Sequence, residues 1–276
     1  MAFDDISRDG NILVLDSGNG GKYTLNIIKK VLPNENYIFI EDDLNCPYGQ
    51  KNKRKLTKIS KKIIKKALNL YKIKIIVLAC NTLSSACLSS LKKEFSHLPI
   101  IPTLPVLKKF KKNTLILCTT ATKKYNKQFK TIKGSKKIQV VGFGNLAKKI
   151  DDNIDNLDIL QPFLNKKLKK YADMDISNVV LGCTHYNLAK KQIYNALLQN
   201  SEKNYVKLSS NRVKKIFNTK TETKTQVFTK KHRNINFYEA SPYVAKQVKQ
   251  TLKAISLLSN SIAQSKTIYI KTSDLF

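Results

Sequence analysis

Apolar residues along this chain fall into two rhythms. Short unbroken runs, 12-ILVLD-16, 37-YIFIED-42, 75-IIVLAC-80, 114-TLILC-118 and 179-VVLGC-183, read as strands buried on both faces. Between them, apolar positions recur every three or four residues, as in Leu25, Ile28 and Leu32 ahead of Pro33, which predicts amphipathic helices. A lysine-studded helix through about Tyr71 and another from about Thr82 to Phe95 follow the same spacing. From Pro99 the pattern restarts. It predicts a segment 99-PIIPTLP-105, a helix near Val106 to Lys112, the strand 114–118, a helix beginning near Thr122, an apolar stretch 138-IQVVGF-143 and helical segments to about Met174. Residues 220–231 show no apolar period and read as a mobile loop, while 235-INFYEA-240 and a helix from about Pro242 to Leu258 close the pattern. Strands alternating with helices mean an α/β fold with parallel sheets.

The pattern is duplicated. Segment 11-NILVLDSG-18 looks like 113-NTLILCTT-120, and 64 residues separate Asp16 from Cys80 while 65 separate Cys118 from Cys183. We expect two pseudo-symmetric α/β domains, each built on a parallel sheet, with an active site in the cleft between them. The expected division assigns residues 1–98 plus 210–276 to the first domain and 99–209 to an inserted second domain. In such sheets ligands bind beyond the carboxyl ends of the strands, and two of the strands deliver a cysteine there: Cys80 and Cys183.

Composition narrows the class. The 276 residues suffice for two ordinary cores. No apolar run approaches a membrane span, and the start MAFDDISRDG carries acids rather than a secretory leader, so a cytoplasmic protein is expected. Five cysteines, with no CxxC and only three histidines, argue for reduced thiols and against a disulfide framework or structural zinc. Cys87 and Cys118 read as small core residues. The formal charge of +32 is nearly all lysine, with arginine only at positions 8, 54, 212 and 233. Beside abundant Asn and Ile, this fits drift toward A- and T-rich codons. Weak, salt-sensitive association with polyanions follows from the charge alone.

Two facing thiols have three uses: redox exchange, metal binding or proton transfer. A free thiol needs roughly 2 kcal/mol of preferential thiolate stabilisation to reach a pKa of about 7. Helix N-termini after Cys80 and Cys183, and His185 two residues beyond the second thiol, can supply it. A thiolate on one face of an amino acid and a thiol on the other can remove the α-proton from one side and return one to the opposite side. The loop Asp16-Ser17-Gly18-Asn19-Gly20-Gly21 permits close backbone approach and positive φ, yet matches neither GxGxxG nor a P-loop. Taken singly, Asp16 reads as a loop cap, Tyr48 as a packed turn aromatic and His185 as a structural histidine. Jointly those readings leave unexplained why two thiols share matched strand ends with hydroxyl neighbours.

The combined motifs resemble the cofactor-independent glutamate racemases of the aspartate/glutamate racemase superfamily. Asp16-Ser17-Gly18 with Gly20-Gly21, Pro47-Tyr48-Gly49, Ala79-Cys80-Asn81-Thr82, the pair Thr119 and Thr122, and Gly182-Cys183-Thr184-His185-Tyr186 stand in the family's order from about residue 11 to 260. The resemblance implies that Cys80 and Cys183 are the two acid/base thiols, with Asp16 assisting the first and His185 the second. It further implies that Ser17, Pro47, Tyr48, Gly49, Asn81, Thr82, Thr119, Thr122 and Thr184 hold the carboxylates and ammonium of glutamate, with Asp42 as a helper. No cofactor and no metal are implied. L-glutamate and D-glutamate would be the ligands, D-glutamate would feed peptidoglycan synthesis, and dimers are common in the family.

Some positions depart from the family pattern. A glutamate usual near residue 104 is absent from Thr103-Leu104-Pro105-Val106, and an aspartate usual near 209 is absent from 207-KLSSN-211. An acid in the segment near 150 falls on Ile150 or on Asp151, according to alignment. Aspartate racemases usually carry Glu where this chain has His185. A reading from another class, a weak or inactive racemase fold that binds a nucleic-acid- or gyrase-associated partner, is kept alive by the lysine content. A redox protein would instead form a Cys80 to Cys183 disulfide.

Overall fold

The computed structural model describes residues 7–198, 234–259 and 265–276. The first half runs β1 (Asn11–Asp16), α1 (Gly20–Val31), β2 (Tyr37–Glu41), α2 (Lys53–Leu70), β3 (Ile73–Leu78), α3 (Asn81–Glu94) and β4 (Ile100–Pro102). The second runs β5 (Thr114–Thr119), α4 (Thr120–Tyr125), β6 (Ile138–Phe143), α5 (Leu146–Asp151), α6 (Gln161–Leu168), β7 (Asn178–Gly182) and a helix over residues 190–198, α7. Then come β8 (Asn236–Glu239), α8 (Ser241–Ala254) and β9 (Thr267–Lys271).

These strands form two wholly parallel sheets, β4-β3-β1-β2-β9 and β6-β5-β7-β8. In each, the chain steps outward from a central strand and then returns to that strand's other side, from β1 to β2 to β3 and from β5 to β6 to β7. Each sheet therefore reverses its strand order at one crevice, where parallel α/β sheets accept ligands. Asp16 and Cys80 leave the first crevice; Thr119 and Cys183 leave the second.

Alternation along β1 explains why the first sheet needs cover on both faces. Ile12 and Val14 pack with Leu25, Ile28, Val244 and Val248 of α1 and α8. Leu13 and Leu15 pack with Leu56, Ile63, Leu83 and Leu91 of α2 and α3. Burial of each such side chain contributes about 1.5–3 kcal/mol. α2 begins where the Asn52 side chain accepts a hydrogen bond from the Lys55 N–H at 2.9 Å, and its lysines line the water-facing side. As the sequence suggests, Cys87 and Cys118 are core residues on a helix and on a strand.

Three features differ from the sequence reading. Residues 106–112 are not helical. Hemmed by prolines 102 and 105, they run irregularly and lay Val106, Leu107 and Phe110 over Ile116 and Val180, a sheet face that no long helix among the described residues covers. β9, an edge strand pairing with β2, was not expected beyond the last helix. Strand membership also moves the division of the chain: 100–102 pair with the first sheet and 236–239 with the second. We therefore propose crossings near residues 103 and 240 in place of 99 and 209. The loop expected at 220–231 and the segment 207–211 lie outside the described residues. Among the described residues no helix is long and apolar enough to cross a membrane.

Candidate active site

Each thiol sits where its strand ends and the next helical turn begins. Cys80 is the N-cap of α3, and the Thr82 and Leu83 N–H groups point at its sulfur, which favours thiolate. Burial outweighs them and, together with the neighbouring Asp16, holds the Cys80 thiol well above its ordinary range. Asp16 is fully buried; it accepts hydrogen bonds from the Ser17 N–H at 2.5 Å and from Thr184 Oγ1 at 3.2 Å. Burial pushes its carboxyl up to about 6, against the opposing pull of His185 and those hydrogen bonds. Ser17 Oγ lies 3.9 Å from Cys80 Sγ and 3.4 Å from Asp16 Oδ1, so one hydroxyl stands beside both groups.

The second thiol has a different partner. Cys183 caps the short helical turn Thr184–Asn187, and its sulfur is 3.9 Å from His185 Nδ1. The other ring nitrogen, Nε2, donates to Asp151 Oδ2 at 2.8 Å. Burial alone would lower the histidine, but the Asp151 hydrogen bond and the adjacent Cys183 reverse this and hold His185 well above its ordinary range. Asn19, from the glycine turn of the other half, donates to Asp151 Oδ1 at 3.3 Å. Of the two acids left open by the sequence, Ile150 is core and Asp151 faces the histidine.

The turn after β1 works by close approach. Its glycines keep negative φ, so the left-handed conformation that the sequence permits is not used. A Cβ on Gly20 would lie 2.5 Å from Thr184 Oγ1 and 2.7 Å from the His185 backbone nitrogen. One on Gly18 would lie 2.9 Å from both Asp151 Oδ2 and His185 Nε2. Glycine is what lets the first half press against Thr184, His185 and Asp151 of the second.

Hydroxyls knit the opposite wall. Thr82 Oγ1 is 2.8 Å from Thr119 Oγ1 and 3.3 Å from Thr122 Oγ1, and Thr119 donates to Thr122 at 2.9 Å. Gly49 packs on Thr119, where a Cβ would approach to 3.1 Å. The cavity so enclosed is lined by Ser17, Cys46, Pro47, Tyr48, Gly49, Cys80, Thr82, Thr119, Ala147, Asp151, Cys183 and His185. Asp16 and Thr122 stand behind that lining, one hydrogen bond away, and Thr184 lies one step further, bonded to Asp16. Asn81 instead donates its amide to the Thr103 carbonyl. The Tyr48 hydroxyl donates to Asp42 at 2.5 Å, so Tyr48 offers the cavity its ring and backbone. Cys46, half-buried at the rim, has its thiol pushed up to about 11 by burial. The free space is about 10 Å³, room for roughly one water. A more voluminous hollow of about 770 Å³ lies on the surface beside α4 and β6, lined by lysines 123, 124, 127, 130, 133 and 136. None of its lining residues is a cysteine, a histidine or a carboxylate.

All five cysteines are free thiols, and no cluster among the described residues could hold a metal ion. The arrangement suits proton transfer: two thiols, each with its own ionisable neighbour, line one small space.

No family model matches the chain. It is 33% identical over 254 residues to the glutamate racemase of Buchnera aphidicola subsp. Acyrthosiphon pisum (strain 5A), covering 88% of this chain and 95% of that protein. It is 34% identical over 194 residues to the glutamate racemase of Clostridium acetobutylicum, covering 67% of this chain and 75% of the other. Among solved structures, glutamate racemase from Francisella tularensis in complex with D-glutamate superposes with a TM-score of 0.73 at 21% identity, covering 96% of this chain and 89% of that one. The RacE1 isoform from Bacillus anthracis gives 0.71 at 20% identity, covering 96% and 91%.

Proposed function

This chain belongs to the glutamate racemase family, and on that premise we propose that it interconverts L-glutamate and D-glutamate by passing the α-proton through Cys80 and Cys183. In one direction the thiolate of one cysteine takes the α-proton and becomes a thiol. The other cysteine gives its proton to the opposite face of the carbanion and is left as thiolate. The reverse turnover exchanges the roles, so no net proton is gained and no cofactor takes part. The observation that carries this reading is that each strand-end thiol of one cavity has its own ionisable neighbour, Asp16 by way of the Ser17 hydroxyl for Cys80 and His185 for Cys183.

In this mechanism Asp16 receives the Cys80 proton, and its carboxyl near 6 suits exchange at neutral pH. His185, held as imidazolium by Asp151, keeps the charge of a Cys183 thiolate compensated. Positioned acid and base groups of this type contribute about 10²–10⁴-fold in rate. Ser17 and the threonine hydroxyls supply neutral donors for the carboxylate whose charge grows as the carbanion forms. A whole amino acid does not fit in the present cavity, so binding requires the two halves to part. The product D-glutamate would serve peptidoglycan synthesis.

The test is α-proton exchange of each glutamate enantiomer in deuterated buffer, followed by NMR with circular dichroism of the same samples, and with aspartate alongside. Deuterium uptake with loss of optical activity from either enantiomer supports the reading. A folded, reduced protein that exchanges neither enantiomer overturns it.

A further inference from the structure

The loop carrying Pro47, Tyr48 and Gly49 to the cavity is fastened from behind by the last strand. β2 and β9 run parallel with Ile40 beside Ile270 and Glu41 beside Lys271. One step further along the same register, Asp42 meets Thr272. Both are fully buried. Asp42 Oδ1 accepts from Thr272 Oγ1 at 2.7 Å and from Asn45 Nδ2 at 2.9 Å, while its Oδ2 accepts from the Tyr48 hydroxyl at 2.5 Å. The carboxylate thus bridges Thr272 to the tyrosine that walls the cavity.

A second carboxylate repeats the grip. Asp43 Oδ1, 2.9 Å from Thr272 Oγ1, shares that hydroxyl's single proton with Asp42 and accepts from the Ser273 N–H at 3.0 Å, and its Oδ2 accepts from Ser273 Oγ at 2.8 Å. Although burial works the other way, these bonds hold the Asp43 carboxyl down at about 2. The Leu44 N–H donates to Thr272 Oγ1 at 3.3 Å. The clamp is itself docked, because Leu275 packs on the core of the first half and Lys62 Nζ lies 3.9 Å from the centre of the Phe276 ring.

We propose that Thr272, assisted by Ser273, is a positioning residue of the active site, which fixes the Asp42–Tyr48 pair and so aligns the substrate-facing loop. The inference rests on the glutamate reading for its kinetic consequence only. Thr272 touches neither thiol nor cavity; its hydroxyl acts through Asp42. Losing it leaves a buried carboxylate short of a donor, and the loop is the part free to move in response. Substrate binding then weakens while proton transfer, built on Cys80 and Cys183, keeps its geometry.

The variants are Thr272→Val, which keeps shape and removes the hydroxyl, Thr272→Ser as rescue, and Ser273→Ala as a milder loss should the first fail to fold. Two readouts apply: hydrogen–deuterium exchange of the peptide spanning 43–50, and KM against kcat for glutamate. Thr272→Val is expected to exchange that peptide at least about tenfold faster and to raise KM about tenfold with kcat within about twofold, and Thr272→Ser to restore both. Unchanged exchange over 43–50 overturns the clamp, as does faster exchange with an unchanged KM. A wild-type protein that does not act on glutamate defeats the proposed function instead, and the exchange readout still decides the clamp.

Discussion

The two sides of the cleft are built alike and charged differently. On the Cys80 side the thiol has a buried carboxylate for a neighbour; burial drives both toward their protonated forms, and the Asp16 charge adds to the effect on Cys80. On the Cys183 side the neighbour is a histidine held as a cation by Asp151. Two similar strand-to-helix junctions therefore offer opposite proton inventories. The difference shows that topological symmetry supplies the places, while the single residues beside each thiol decide which place holds a proton.

The comparison breaks most visibly if one thiol is removed. Cys80→Ala and Cys183→Ala are each expected to lower racemisation by about 10³-fold or more. In each variant deuterium exchange should persist, if at all, from one enantiomer only, and from opposite enantiomers in the two. Equal residual exchange from both enantiomers in either variant would contradict the division of labour. Next in size is the seam. Gly20→Ala pushes a methyl group into Thr184 and His185, and a displacement of this kind costs about 10²-fold in kcat/KM. Circular dichroism should still report a folded chain, which separates misalignment from unfolding.

A stability measurement sharpens the carboxylate side. Asp16 titrates near 6 in the fold against an ordinary 3.8, so its buried charge weighs against folding above pH 6, and the penalty fades as pH falls toward 4. Asp16→Asn should therefore be more stable than wild type at pH 8, by about 1–3 kcal/mol, and nearly equal to it at pH 4. Thermal unfolding at the two pH values checks the sign; an offset independent of pH would refute the cause given. On the histidine side, Asp151→Asn should let His185 fall back toward its ordinary range. The loss is about tenfold in rate, with the alkaline limb of the pH–rate profile moved to lower pH. An unmoved limb would remove Asp151 from the account.

Much of this was legible in the sequence because it is local. Unbroken apolar runs gave the central strands, and Cys80 and Cys183 at the ends of two of them marked the crevices, since burial and strand termination are written within a few residues. What escaped notice depends on distant pairings. β9 is a short, largely exposed edge strand whose partner lies some 230 residues earlier. Thr272 gains meaning only beside Asp42. Lys74, a lysine just ahead of the run 75–80, is fully buried, with Glu35 and the carbonyls of Arg8 and Leu257 around its ammonium. Asp151 was ambiguous by one position on a helix, where a single step moves a side chain by about 100°. Residues 106–112 carried helical spacing, but an uncovered sheet face claimed their apolar side chains first.

The bare backbone at Gly18 and Gly20 also bears on how such a molecule can be inherited and recombined. Those two positions belong to the first half by connectivity and to the second by contact, so a change there is felt in both at once. The halves cannot drift as separate modules. A chimera that joins the first half of one relative to the second half of another would fold each sheet correctly, yet meet its mismatch at this seam, within a bond length or two of His185.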